Sequence, residues 1–207
     1  MGTQTGIIKN PDEILSEEVS AHPRERIESL LMYPLNAILL EENGPQKFVD
    51  FLSSNELKNA RRDQLQHAEI MQERLKNLKR NFPPSKSGKY SREQSDEFAQ
   101  YQVIQWLSNY HKDFLDKFTK QPERLHTNIF LSVRLYGYVV FYKYYLGQRV
   151  PKKLSDFGDL FHLFPLPYCE LVVMERDLCN ILNQIKKNHN ILNSTNIHNI
   201  DFLKNWE

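Results

Sequence analysis

The densest run of chemically capable side chains lies late in the chain. It reads Asp156-Phe157-Gly158-Asp159-Leu160-Phe161-His162, then Pro167-Tyr168-Cys169-Glu170, then Val172-Val173-Met174-Glu175-Arg176-Asp177. Asp159 falls near the start of a short helix, and Glu170 and Glu175 bracket an apolar stretch with the character of a buried strand. Glu175 stands at the C-terminal end of that strand, where open α/β sheets place their sites. Carboxylates meeting at strand ends are what a hard divalent ion requires. Mg²⁺ or Mn²⁺ takes oxygen ligands and can clamp a phosphodiester while activating water. Each acid also has a plainer reading. Asp159, Glu175 and Asp177 are all types that favour the positive end of a helix dipole. His162, among Phe161, Leu163 and Phe164, reads as a hydrogen-bonded structural histidine or as a base.

Other residues can serve such a site or simply be solvated. Glu41-Glu42 is an exposed helix end or a ligand pair. Arg74, Lys76, Lys79, Arg80, Lys86, Lys89 and Arg92 form a basic run that fits phosphate contact or a solvated helix face. Arg134 interrupts an apolar helix, so it either meets a carboxylate or snorkels to the surface. Tyr136, Tyr138, Tyr142, Tyr144 and Tyr145 point in all directions at helical spacing, which favours core over a base-stacking platform. Cys169 and Cys179 lack zinc spacing and read as packed thiols. No Gly-x-Ser-x-Gly and no glycine-rich phosphate loop occurs.

The elements that must position these groups change character along the chain. Asn10-Pro11-Asp12-Glu13 starts a helix to about Ser20, and Pro23 starts another. Residues 33–40 are apolar and fit helix or strand, ending at Gly44. Pro45 opens a long helical region to about Arg80, and Pro83-Pro84-Ser85-Lys86-Ser87-Gly88 is a loop. Ser91 and Gln94 have capping-box spacing before a helix carrying Phe98, Tyr101, Ile104, Leu107, Phe114 and Phe118. A central helix is expected from Pro122 to Gly147. Beyond Pro151 the pattern becomes a helix over 155–164, a strand at Leu171–Met174, a helix over 177–187, a weaker strand over 191–197 and a last helix over 200–206. The expected fold is therefore α/β but mostly helical, with a helical portion over 1–153 and a parallel-sheet unit over 154–207.

Bulk properties exclude little. The chain has 207 residues, 40% hydrophobic and 26% charged, and 27 basic residues nearly cancel 26 acidic ones. Net charge therefore carries no nucleic-acid signal. Two cysteines exclude a disulfide scaffold and suit a reducing, cytoplasmic setting. No membrane association is expected, because Arg134 and Lys143 interrupt the most apolar stretch.

Residues 154–207 resemble the C-terminal half of PIN-like nuclease domains. In those domains an Asp-x-x-His helix leads to a Pro-Tyr-Cys-Asp turn, a buried strand and a Thr-Asp-Arg end. Here Asp159 and His162, Pro167-Tyr168-Cys169-Glu170 and Glu175-Arg176 hold those places. A looser similarity covers 34–41 and carries an acidic role to Glu41, with Glu42 beside it. The resemblance implies an incomplete PIN-like parallel sheet and a Mg²⁺- or Mn²⁺-dependent endoribonuclease-like hydrolase, or the C-terminal part of one. Asp159, Glu175, Glu170 and Glu41 would hold the metal. The basic run Arg74, Lys76, Lys79, Arg80, Lys86 and Lys89 would steer RNA. Family members open with an apolar strand ending in aspartate, whereas Ile7-Ile8 before Asp12 is short and Asp12 suits a helix dipole. The missing strand would then come from a second chain. The alternative is a non-catalytic PIN-like binding or assembly subunit, and a homo-oligomer is compatible with either.

Overall fold

A computed structural model describes residues 6–8, 11–20, 31–34, 43–55, 58–59, 62, 70, 73, 77, 82–85, 88–147 and 160–205. Asp159, Glu41, Glu42, Arg74, Lys76, Lys79, Arg80 and Lys86 lie outside that set, as do residues 23–30 of the helix expected after Pro23, whose Leu31 is in a strand.

Strand β1 (Gly6–Ile8) pairs antiparallel with β2 (Leu31–Pro34). The short Ile7-Ile8 segment is thus a strand, but it belongs to its own ribbon and not to the C-terminal sheet. Helix α1 (Pro11–Ser20) follows β1, with Pro11 in its first turn and Asp12 and Glu13 at the positive end of its dipole. It buries Ile14, Leu15 and Glu18. Helix α2 (Gly44–Ser53) begins after Asn43, which takes a left-handed conformation at φ 61°. Asn43-Gly44 therefore marks a helix start.

The core is built on two helices. In α3 (Glu93–Tyr110), Phe98, Ala99, Gln102, Val103, Trp106 and Leu107 are buried at spacings of three and four. Tyr101 and Ile104, expected on the apolar stripe, are exposed, because the buried face is centred one residue away. Gln94 Oε1 accepts the Ser91 N–H at 3.0 Å, the returning half of the capping box. A short α4 (Lys112–Asp116) turns the chain back. The single helix expected from Pro122 is instead two 3₁₀ turns, Pro122–Arg124 and Thr127–Ile129, followed by α5 (Leu131–Val140) and a π-helical turn, Phe141–Leu146. The five tyrosines of this stretch are all buried. Helices α3 and α5 make the most extensive helix contact among the described residues. Gly137 permits it, since a Cβ there would lie 2.9 Å from Ala99 Cα. Phe82, Tyr90, Phe98, Phe141 and Tyr145 close one end as an aromatic cluster.

The C-terminal unit is β3 (Leu171–Met174), α6 (Arg176–Asn188) and β4 (Asn196–Asn199), with β3 and β4 parallel. Leu171 stands opposite Asn196, and Met174 opposite Asn199. Helix α6 buries Leu178, Ile181, Leu182 and Ile185 along one face. Strand β4 starts later than the apolar pattern suggests. Ile191 and Leu192 are buried plugs in a turn after α6, with Leu192 at φ 63°, and Thr195 anchors that turn by donating its hydroxyl to the Leu166 carbonyl at 3.2 Å. A 3₁₀ segment, Ile200–Asn205, ends the described chain. The architecture is thus mostly helical with a small parallel sheet, and no described helix is long and apolar enough to cross a membrane.

Candidate functional site

Of the acidic residues singled out by sequence, Glu170 and Glu175 are described, and both are exposed. They flank β3 on opposite ends. Five residues of extended chain put their Cα atoms about 16 Å apart, and the odd spacing sends their side chains to opposite faces. That spacing holds the two carboxylates apart along the strand and does not gather them. Glu175 lies at the C-terminal end of β3 and precedes α6 without capping it through its side chain. Glu170 lies at the other pole, where it lines an open depression with Pro167, Tyr168, Ser194 and Asn196. No group of three or more His, Cys, Asp or Glu that could hold a metal ion occurs among the described residues. His162 is exposed and not a buried structural residue. Lys89 is exposed in the loop that turns at Gly88. Burial pushes the Cys169 thiol up from its ordinary range, away from nucleophile activation.

Polar groups from distant parts of the chain converge elsewhere. A cleft of about 500 Å³ is lined by Asp96, Asn128, Leu131, Arg134, Tyr138, Asn188, His189, Asn190 and Ile191. Helix α3 supplies Asp96 from its first turn, and α5 supplies Arg134 and Tyr138 one turn apart. His189 caps the C-terminus of α6, donating its backbone N–H to the Ile185 carbonyl at 2.8 Å.

Hydrogen bonds fix the arrangement. Tyr138 donates to Asp96 Oδ1 at 2.6 Å, and Arg134 Nη2 donates to the Tyr138 hydroxyl at 2.6 Å. Arg134 Nη1 donates to Asn128 Oδ1 at 2.6 Å. The guanidinium also lies 3.9 Å from Asp96 Oδ1. The half-buried cation of the central helix therefore does meet a carboxylate, with a tyrosine hydroxyl between them. His189 Nδ1 sits 3.2 Å from Asp96 Oδ1, and its ring stacks on Tyr138 with centroids 4.1 Å apart. Because the carboxylate is acceptor-only, Nδ1 carries the proton and Nε2 accepts from the Tyr142 hydroxyl at 3.0 Å. Burial lowers the His189 pKa from its ordinary value, and Asp96 opposes that shift. Asn188 completes the set, accepting from Arg92 Nη1 at 3.0 Å and donating to Tyr142 at 3.2 Å.

Ser95, His189 and Asp96 have the connectivity of a nucleophile relay, with Ser95 Oγ 3.3 Å from His189 Nε2. The hydroxyl does not serve as a nucleophile. Ser95 is fully buried and donates to the Arg92 carbonyl.

A second polar cluster lies inside the molecule. Glu18 of α1 accepts from the Ser132 N–H at 2.8 Å, from the Ser132 hydroxyl at 2.6 Å and from the Tyr168 hydroxyl. It thereby caps the first turn of α5, whose own N-cap residue Phe130 contributes no side-chain bond. Burial pushes its pKa up to about 7 against the lowering effect of these bonds.

Sequence reasoning flagged Arg134 but missed Asp96, Asn128, Asn188 and the role of His189. Asp96 reads as a dipole-favoured first-turn acid, and the asparagines read as loop residues. The one local signal is the spacing of Arg134 and Tyr138 on a buried helix. Compared with known proteins, the chain matches no family model, no curated protein and no solved structure.

Proposed function

We propose that this chain is a PIN-like, divalent-metal-dependent nuclease, or the C-terminal part of one, acting on RNA or single-stranded nucleic acid. What supports the reading is the parallel pairing of β3 with β4 across α6, with Glu175 closing β3 at its C-terminal end. In this reading Glu175, Asp159 and Glu41 are the metal ligands, and Glu170 is not. A bound Mg²⁺ or Mn²⁺ would supply an activated water and charge stabilisation at phosphorus. Lys89 with Arg74, Lys76, Lys79, Arg80 and Lys86 would hold the substrate backbone.

The test is cleavage of single-stranded RNA by the purified chain with Mn²⁺. Cleavage that Glu175→Gln and Asp159→Asn abolish, with far-ultraviolet circular dichroism unchanged, supports the reading. Cleavage that survives both substitutions removes this site.

The separation of Glu170 from Glu175 favours a second reading, a non-catalytic PIN-like binding or assembly subunit. Titration with Mn²⁺ separates the two. A specific ion raises the melting temperature with concentration in the unsubstituted chain and not in Glu175→Gln. A melting temperature that ignores millimolar metal supports the subunit.

A further inference from the structure

We propose that the cleft between α3, α5 and the C-terminus of α6 is a binding site for a small phosphate monoester, with Asp96 accepting a hydrogen bond from the ligand's own P–O–H.

The argument rests on which hydrogen-bonding groups the lining leaves over. Asn128 Oδ1 is taken by Arg134, and Asn190 Oδ1 is taken by Asn193. These bonds fix the orientation of both amides and leave the two NH₂ groups as donors with no partner among the described residues. Arg134 uses one N–H from each Nη and keeps the others, and its Nε is buried with no partner among the described residues. Asn188 accepts from Arg92 and gives one N–H to Tyr142, keeping the other, and both His189 nitrogens are occupied. On the acceptor side Asp96 Oδ2 is the one side-chain oxygen of this set with no partner among the described residues, whereas Oδ1 takes Tyr138 and His189 and each asparagine oxygen already holds a donor.

The surplus is thus several donors against one anionic acceptor. Of the charged side chains lining the cleft, Arg134 is a cation and Asp96 an anion, and the Arg92 guanidinium reaches the edge through Asn188. A fully ionised oxyanion would satisfy the donors but face Asp96 unprotected. A phosphate monoester carrying one proton satisfies both sides, since its oxygens accept from the asparagines and Arg134 while its P–O–H donates to Asp96 Oδ2. Leu131, Ile191 and the Tyr138 ring supply apolar wall for the organic part, and 500 Å³ lies within the range of small-molecule sites.

This site is separate from the proposed metal pole. Glu175 and His189 flank the 13 residues of α6, which span about 20 Å. The inference therefore does not rest on the nuclease reading.

The experiment is calorimetric titration of the full chain at pH 6 and constant ionic strength. Phenyl phosphate, phenyl sulfate and inorganic phosphate are the probes. At that pH about half of the phosphate ester retains its proton, and the sulfate ester has none. Expected is saturable binding of phenyl phosphate with a dissociation constant near or below about 1 mM. Phenyl sulfate and inorganic phosphate should each bind about tenfold more weakly. Asn190→Ala, at an exposed position that does not threaten folding, should weaken phenyl phosphate about tenfold, and Arg134→Lys should do the same by losing the planar fork. Asp96→Asn should narrow or reverse the preference for phosphate over sulfate. No saturation by about 10 mM overturns the proposal. Equal affinity for phenyl phosphate and phenyl sulfate overturns it as well, and so does binding that Asn190→Ala leaves unchanged.

Discussion

Two carboxylates are gathered against α5 by tyrosine hydroxyls, Glu18 at its first turn and Asp96 two turns farther along. Their partners are alike in kind. Glu18 accepts from Ser132 and Tyr168, while Asp96 accepts from Tyr138 and His189 and has Arg134 nearby. They differ in access to water, since Glu18 is 5% exposed and the Asp96 side chain 58%. The difference decides their chemistry. The donors around Glu18 do not offset its desolvation, and its pKa rises to about 7. Asp96 keeps one oxygen toward solvent and is available to a ligand. Glu18 is a tie that fixes α1 and the 160s segment to the start of α5.

The largest expected effect tests that tie. Glu18→Ala leaves the Ser132 N–H, the Ser132 hydroxyl and the Tyr168 hydroxyl buried without their acceptor. It should cost about 3 kcal/mol or more in a denaturant melt. Glu18→Gln, which keeps an acceptor oxygen, should cost clearly less. A loss below about 1 kcal/mol for Glu18→Ala would mean that water reaches the cluster, and the contrast with Asp96 would vanish.

Next in size is the response to pH, which has opposite sign at the two sites. Between the ordinary glutamate value of 4.5 and about 7, Glu18 holds a proton in the folded state that it lacks in the unfolded chain. Its contribution to stability therefore falls as pH rises through that window, by at most about 3.4 kcal/mol at roughly 1.36 kcal/mol per pKa unit. His189 is held below its ordinary value of 6.5, first by burial, so the unfolded chain takes up a proton that the folded one refuses. Its contribution is lost as pH falls through 6.5 and below. Melting temperatures from pH 5 to 8 on Glu18→Gln should show the histidine slope alone, with stability rising as pH rises. A variant that keeps the falling slope of the unsubstituted chain would reassign that slope to another group.

Gly137 sharpens the comparison from the backbone. Its Cβ would press on Ala99 Cα at 2.9 Å, and α3 carries Asp96 while α5 carries Tyr138. Gly137→Ala should cost about 1–2 kcal/mol, overpacking outweighing the gain in helix propensity. It should also weaken phenyl phosphate binding at the cleft while leaving the Glu18-dependent pH slope intact. Loss of that slope would show that the two sites are one cooperative unit.

How much of this could be read from sequence follows from the range of the interactions. Local rules sufficed for α1, where Pro11 and Asp12 declare the helix start, for β3 as an apolar run, and for α6 from the spacing of Leu178, Ile181, Leu182 and Ile185. They failed where tertiary contacts decide. The apolar pattern of Ile191 and Leu192 reads as strand, but these side chains plug a turn. Tyr101 and Ile104 match a helical period yet face solvent. The candidate cleft was the least legible part, because residues 96, 134 and 189 meet only after α3, α5 and α6 pack. Glu18 was invisible for the same reason, since a glutamate in an amphipathic helix announces nothing about the amide 114 residues away that it caps.

The smallest expected effect is on the exposed side of the comparison. Asp96→Asn removes a charge but retains Oδ1 as an acceptor for Tyr138 and for His189 Nδ1–H. Arg134 keeps its bonds to Asn128 and Tyr138, so no buried group is stranded. Because Asp96 is more than half exposed, solvent screens most of its attraction to Arg134, and stability should change by no more than about 1 kcal/mol. The substitution should also lower the His189 pKa further, because the carboxylate is the group that raises it against burial. That shift is measurable from the imidazole proton resonances during a pH titration. A stability loss as large as that of Glu18→Ala would show that Asp96 is an internal tie like Glu18, and that its exposure does not make it available to ligand.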